Sequence, residues 1–132
     1  MTMNDFTTSL AVSGSGMKAQ ATRLRHVSEN VANADTPGYR RKLTTFEPAE
    51  GRDRVEGSVT TGKTELDQRA LPRIYDPGHP LADQAGYLDG SNVDLVVEIA
   101  DAREAQRSYE ANLKMFDQAR QMSSSLLDIL RK

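Results

Sequence analysis

Cysteine and tryptophan are both missing from this chain, and aromatic residues of any kind make up only 5% of it. Without cysteine there is no disulfide, no thiolate nucleophile and no thiolate metal ligand, an absence that fits a reducing or an oxidising compartment equally. Histidine is scarce as well. His26 and His79 lack ligand-spaced companions, so no catalytic residue, metal site or cofactor is expected. Nor is there an excess of positive charge: the formal net charge is -2, which excludes a global field that would draw the chain onto phosphate backbones, and no nucleic-acid partner is expected. Long hydrophobic runs are absent too. No stretch approaches the roughly 18 apolar residues needed to cross a bilayer, so no direct membrane insertion is expected. The first positive side chain is Lys18, and the residues before it lack the basic-then-apolar order of a cleaved secretory signal. Apolar residues amount to 37% of the 132, lean for a chain that must bury a core unaided, which points to burial against other subunits.

Glycine and proline are present but unevenly placed. Six of the nine glycines and four of the five prolines lie between Glu47 and Ser91, dividing the chain into residues 1–36, 37–91 and 92–132. In the first part Leu10, Met17, Leu24 and Val31 recur every seven residues, with Gly14, Ala21, Val27 and Ala34 on the same face. That period predicts one amphipathic helix from Asn4 to Ala34, about 45 Å long. Thr36-Pro37-Gly38-Tyr39 then predicts a type II turn, with Pro37 setting the second position and Gly38 supplying positive φ. Arg40 to Phe46 follows as an extended segment. Asn30 and Asn33 either cap the turn or fix register against a neighbouring helix. The run Ser13-Gly14-Ser15-Gly16 lacks the lysine and spacing of a phosphate loop and is read as a point of close helix approach.

The last part predicts a helix from Val93 to Leu130, with Ser91 or Asn92 as its cap. Its apolar residues form two stripes. Ala102, Tyr109, Leu113, Phe116, Leu127 and Leu130 make one; Met115, Ala119, Met122, Leu126 and Ile129 make the other, about 100° around the helix. One stripe can pack on the first helix. The second must meet another molecule unless the middle of the chain folds back over it. The expected fold is mainly α: long N- and C-terminal helices packed as an antiparallel coiled-coil-like pair, with a Gly/Pro-rich middle that is partly β or irregular. Leu10, Met17, Leu24, Val31, Tyr109, Leu113 and Phe116 are its expected helix-packing residues. Met115, Met122, Leu126 and Ile129 are the intersubunit candidates.

Ser28 to Tyr39, SENVANADTPGY, resembles the signature of the bacterial flagellar basal-body rod family. Ser13 to Leu24 is similar to the segment that precedes it there, and Arg40-Arg41-Lys42 to a common continuation. Tyr75 to Pro80, Gly86-Tyr87, Asn92-Val93 and Arg107 to Asn112 resemble the C-type proximal-rod branch of that family. Leu88 to Ser91 departs from it where a proline often precedes the Asn-Val pair. The resemblance implies a non-catalytic axial protein, passed uncleaved through the flagellar type III export apparatus and polymerised in the periplasm as part of the drive shaft. It implies partners in further copies of the chain, other proximal-rod subunits and the adaptor between rod and membrane ring. It also marks Asn30, Asn33, Thr36, Pro37, Gly38 and Tyr39 as the assembly and turn motif. The competing expectation is a cytoplasmic helical-hairpin adaptor or export chaperone using the same stripes.

Overall fold

A computed structural model describes residues 2–131. Thr2 and Asp5 open the first helix reciprocally: the Thr2 hydroxyl accepts from the Asp5 N–H, and the Asp5 carboxylate accepts from the Thr2 N–H. This capping box satisfies two N–H groups that a helix start leaves without partners. The helix, α1, runs from Met3 to Ala32 over 30 residues. It stops two residues short of the expected Ala34, because the Asn33 amide turns back to donate to the Glu29 carbonyl at 2.8 Å. The second long helix, α2, runs from Leu95 to Arg131 over 37 residues. Neither expected cap starts it. Asp94 does, accepting from the Val96 N–H through its side chain at 3.0 Å and from the Glu98 N–H through its carbonyl. Ser91 and Asn92 are engaged elsewhere, Ser91 with the Val93 N–H and Asn92 with the Arg41 N–H.

The two helices lie side by side and run in opposite directions. Asn30 meets Glu98, Arg23 meets Asp101 and Glu104, Gly16 abuts Asn112, and Met3 touches Ser123. Since Ser123 is already opposite Met3, the last turns of α2 extend beyond the start of α1. Small and polar residues fill much of the seam. Phe6, Ser13 and Val27 are buried at sevenfold spacing on α1, and Glu98, Ala105 and Ala119 on α2. Leu10, Met17 and Leu24 flank this line and are half-buried, and Val31 is exposed. A Cβ added at Gly16 would lie 2.8 Å from the Asn112 side chain, closer than such atoms approach. Gly16→Val is therefore expected to force the helices apart or displace Asn112, lowering stability by about 1–3 kcal/mol. Gly16→Ala combined with Asn112→Ala should recover it, since the clash is gone and alanine favours helix by about 1 kcal/mol. Thermal melts of wild type and the two variants check this, and a melt of Gly16→Val matching wild type contradicts it.

Six short strands occupy the middle. β1 (Lys42–Leu43) and β2 (Phe46–Pro48) form one arm of an interrupted hairpin, and β3 (Val59–Thr61) and β4 (Glu65–Leu66) the other. β1 pairs antiparallel with β4 and β2 with β3. Leu43 stands opposite Glu65 and Phe46 opposite Thr61, so the second arm has one extra residue between its strands. β5 (Arg73–Tyr75) and β6 (Tyr87–Asp89) form a separate antiparallel pair. The long hairpin lies against α1, where the Val59 N–H donates to the Ser15 hydroxyl at 3.1 Å. The middle therefore covers α1, not the exposed residues of α2. Among the described residues no helix is long and apolar enough to cross a membrane.

Candidate functional site

The turn after α1 has the backbone expected of it. Gly38 takes φ +75°, and the Tyr39 N–H donates to the Thr36 carbonyl at 3.2 Å. The Gly38 N–H donates to the Asp89 carbonyl at 3.1 Å, tying the turn to the end of β6. Asn33 and Thr36 brace it from the helix side, the Thr36 hydroxyl donating to the Asn33 Oδ1 at 3.1 Å.

Three residues before Asn33, Asn30 is 1% exposed and uses its whole amide. Oδ1 accepts from the Tyr39 hydroxyl at 2.9 Å and from the Lys42 N–H at 2.8 Å; Nδ2 donates to the Lys42 carbonyl at 3.1 Å and to Glu98 Oε2 at 3.3 Å. Two donor and two acceptor sites are all that an amide possesses. This one side chain binds the end of α1 to the turn, to β1 and to the start of α2.

Glu98 is 0% exposed. One carboxylate oxygen receives Asn30 and the other pairs with the Arg41 Nε. Arg41 also reaches Asp101 at 2.5 Å, and the other oxygen of Asp101 receives Arg23 at 3.1 Å. A buried carboxylate persists only when its charge is paired and its oxygens are bonded, and this cluster does both. Burial opposes the Arg41 charge, but the contacts with Glu98 and then Asp101 outweigh it and hold the Arg41 pKa raised. Burial likewise raises Tyr39, with the Lys42 charge opposing. Lys42 in turn hydrogen-bonds Glu29, which lowers the Glu29 pKa and raises that of Lys42.

Asn92 completes the joint. Its Oδ1 accepts from the Arg41 N–H at 2.7 Å, and its amide donates to the Asp67 carbonyl at 3.0 Å. Arg40 donates to the same Asp67 carbonyl and to that of Arg69. Arg40, Arg41 and Lys42 thus each find a partner within the chain.

His26 links α1 to both arms of the long hairpin. It is buried, with Nδ1 2.6 Å from the Thr44 hydroxyl and Nε2 3.5 Å from that of Thr64. Its pKa is lowered, first by burial and next by the charge of Arg25, with Glu29 opposing and Lys42 assisting. A lowered imidazole pKa means that the unfolded chain takes up the proton first as pH falls. The His26 contribution is full above about pH 7 and lost as pH drops through about 6.5 toward the folded value. Wild type is expected to lose melting temperature over that interval, and His26→Gln to show a flatter profile. Parallel profiles for the two proteins contradict this. Glu29 and Asp67 have lowered carboxylate pKa values, so their losses fall at more acidic pH.

The sequence-predicted residues therefore divide. Asn30, Asn33, Thr36, Gly38 and Tyr39 meet in the joint, with Pro37 at the surface cleft beside Pro72 and Ile74. Tyr109 and Phe116 are half-buried and Leu113 is exposed. Met115, Met122 and Ile129 are exposed, whereas Leu126 is half-buried in a groove that it shares with Phe6, Met122 and Ile129 at the free end of the helix pair. Sequence reasoning missed Glu98, Asp101 and Asn92 as parts of the joint. One signal was present: Glu98 is the lone charge in Leu95-Val96-Val97-Glu98-Ile99-Ala100. No group of three metal-ligating side chains occurs among the described residues. The site is a joint of polar contacts satisfied within the chain.

Comparison with known proteins matches residues 10–40 to the family described as flagella basal body rod protein, and residues 84–129 to the flagellar basal body rod FlgEFG protein C-terminal family. The chain is 43% identical to the flagellar basal-body rod protein FlgC of Agrobacterium fabrum, over 98% of each sequence. It is 32% identical to FlgC of Salmonella typhimurium over 89% of this chain and 92% of that one. With FlgC of Aquifex aeolicus the identity is 35% over 86% and 89%.

Proposed function

Because the chain belongs to the flagellar basal-body rod protein family and is of the FlgC type, we propose that this rod structural subunit polymerises through its terminal helices in the proximal rod and transmits torque along the shaft. The helices pair through a sevenfold-spaced, coiled-coil-like seam, and the joint at Asn30 and Glu98 holds that pair to the β segments. Its partners are further copies, the other proximal-rod subunits and the adaptor between rod and membrane ring. It reaches them through the flagellar type III export apparatus.

One contrast carries this reading. At the joint every polar group of Asn30 and Glu98 is satisfied inside the chain, while α2 leaves Met115, Met122 and Ile129 exposed. A closed joint beside open apolar faces suits a stiff unit completed by neighbours. The test is residence. In a strain carrying a tagged chain, the protein should copurify with detergent-extracted basal bodies at a fixed ratio to ring components, and its deletion should abolish swimming. Recovery in the cytosol bound to a soluble client would instead support an adaptor or chaperone and overturn the proposal.

A further inference from the structure

The ladder of the long hairpin breaks where the hairpin crosses His26. Leu43 pairs with Glu65, and the Gly62 N–H donates to the Thr45 carbonyl at 3.0 Å. Thr44 alone therefore faces both Lys63 and Thr64, a bulge of the kind that bends a strand and re-aims its side chains. Thr44 from one arm and Thr64 from the other lie against the two ring nitrogens of His26. On the near side of this break the hairpin is clamped to the joint. Asn30 holds the backbone of Lys42, the Asp67 N–H donates to the Arg41 carbonyl at 2.8 Å, and Arg40 and Asn92 both donate to the Asp67 carbonyl. On the far side β2 and β3 are held less closely. The Val59 N–H reaches the Ser15 hydroxyl, yet an open cleft of about 310 Å³ lies among Ala19 and Thr22 of α1 and Val55, Val59 and Thr61 of the hairpin.

We propose that β2, β3 and the loop joining them form a hinged arm, pivoting at the Thr44 bulge, which a proton on His26 releases from α1 while the joint at Asn30 and Glu98 stays closed. The two hydroxyls can accept from an imidazolium as well as serve a neutral ring, so the proton acts through charge and not through lost bonds. His26 is 5% exposed, and the carboxylates around it are already engaged. On α1, Glu29 pairs with Lys42 of β1. Exposed Arg25, also on α1, joins none of the ion pairs among the described residues. On α2, which borders the same cleft, Glu98 pairs with Arg41, Asp101 with Arg41 and Arg23, and Glu104 with Arg23. On the second arm of the hairpin Lys63 and Glu65, of opposite sign, flank Thr64 and are exposed. An enclosed imidazolium thus meets the repulsion of Arg25 with the carboxylates of its cleft taken, and swinging the arm outward lets water solvate it. Burial first and Arg25 next lower the His26 pKa while the arm is closed. The closed arm is therefore favoured at higher pH, and the open arm gains as pH falls through about 6.5, the ordinary imidazole value.

Because the chain has no cysteine, spin labels attach only where one is introduced. The full-length chain carrying Asp53→Cys on the arm and Ala21→Cys on α1, both exposed positions, reports how far the arm stands from the helix. Double electron-electron resonance on samples frozen at about pH 7.5 and about pH 5.5 is expected to show the longer-distance population rising up to about tenfold relative to the shorter one at the lower pH. Pairs that join Ala21→Cys to Gln68→Cys at the clamped end, or to Lys114→Cys on α2, should keep their distances. His26→Gln should abolish the response to pH. Thr44→Val removes the hydroxyl 2.6 Å from Nδ1; it should raise the open population several-fold already at neutral pH, and it reads the same latch should the first variant not fold. Distances from Asp53→Cys that ignore pH, a change shared by the Lys114→Cys pair, or a full response in His26→Gln overturns the proposal.

Discussion

Glu98→Ala should destabilise the folded chain by about 3–5 kcal/mol, the range for breaking a buried ion pair from one side. The reason is what remains behind. Arg41 would keep its charge with only Asp101 to meet it, and the Asn30 Nδ2 would lose one of its two acceptors in a fully enclosed place. Replacing both members, Glu98→Leu with Arg41→Met, removes the stranded charge and should cost much less, because an apolar pair of similar bulk often substitutes for a buried ion pair. Urea denaturation of the single and double variants, read by circular dichroism, measures the difference. A single variant within about 1 kcal/mol of wild type would mean that Glu98 is not enclosed as the joint requires. Swimming should be lost in the single variant through depletion of folded subunit.

Asn30→Asp changes hardly any volume yet should cost about 3 kcal/mol at neutral pH. The substitution exchanges the donor facing Glu98 Oε2 at 3.3 Å and the Lys42 carbonyl at 3.1 Å for a second carboxylate oxygen. Two repulsive acceptor contacts replace two hydrogen bonds, and the new charge sits beside that of Glu98. The introduced carboxyl would then have a raised pKa, so the folded state holds its proton more tightly than the unfolded chain does. The sign follows: the deficit against wild type shrinks as pH falls toward the acid range, opposite to the trend expected from His26. Denaturation curves at neutral and mildly acidic pH, taken for both proteins, decide it. A deficit that is negligible at neutral pH, or that grows on acidification, contradicts the assignment of the Asn30 amide.

The parts of this joint differ in how far local pattern revealed them. Gly38 was legible because positive φ after proline is a property of the dipeptide and its turn, independent of anything distant. The two helices were legible because a sevenfold recurrence over about thirty residues has few other interpretations. Asn30 stood out only as a polar residue near a helix end, with capping and register both open as roles. Its bonds to Tyr39, Lys42 and Glu98 join positions 9, 12 and 68 residues away, and no local pattern reports on such pairings. The seam shows the same limit. Periodicity marks Leu10, Met17, Leu24 and Val31 as one face, but it does not say which way that face is turned. With Gly16 against Asn112, the helices approach along a line of small residues, and the larger side chains flank it.

Composition, periodicity and turn chemistry by themselves determined two long helices, a sharp break at Thr36 to Tyr39 and a lean core, because each follows from backbone preference or from the amount of apolar surface. The resemblance in Ser28 to Tyr39 pointed to the family. Only the tertiary structure decided that Asp94 caps α2, that the Asn30 amide and the Glu98 carboxylate close a common joint, that the hairpin covers α1, and that α2 leaves Met115, Met122 and Ile129 exposed. These depend on the rotation and register of one helix against another, set by close packing and by the cost of leaving a buried polar group unpaired, and both act between residues that the chain keeps far apart.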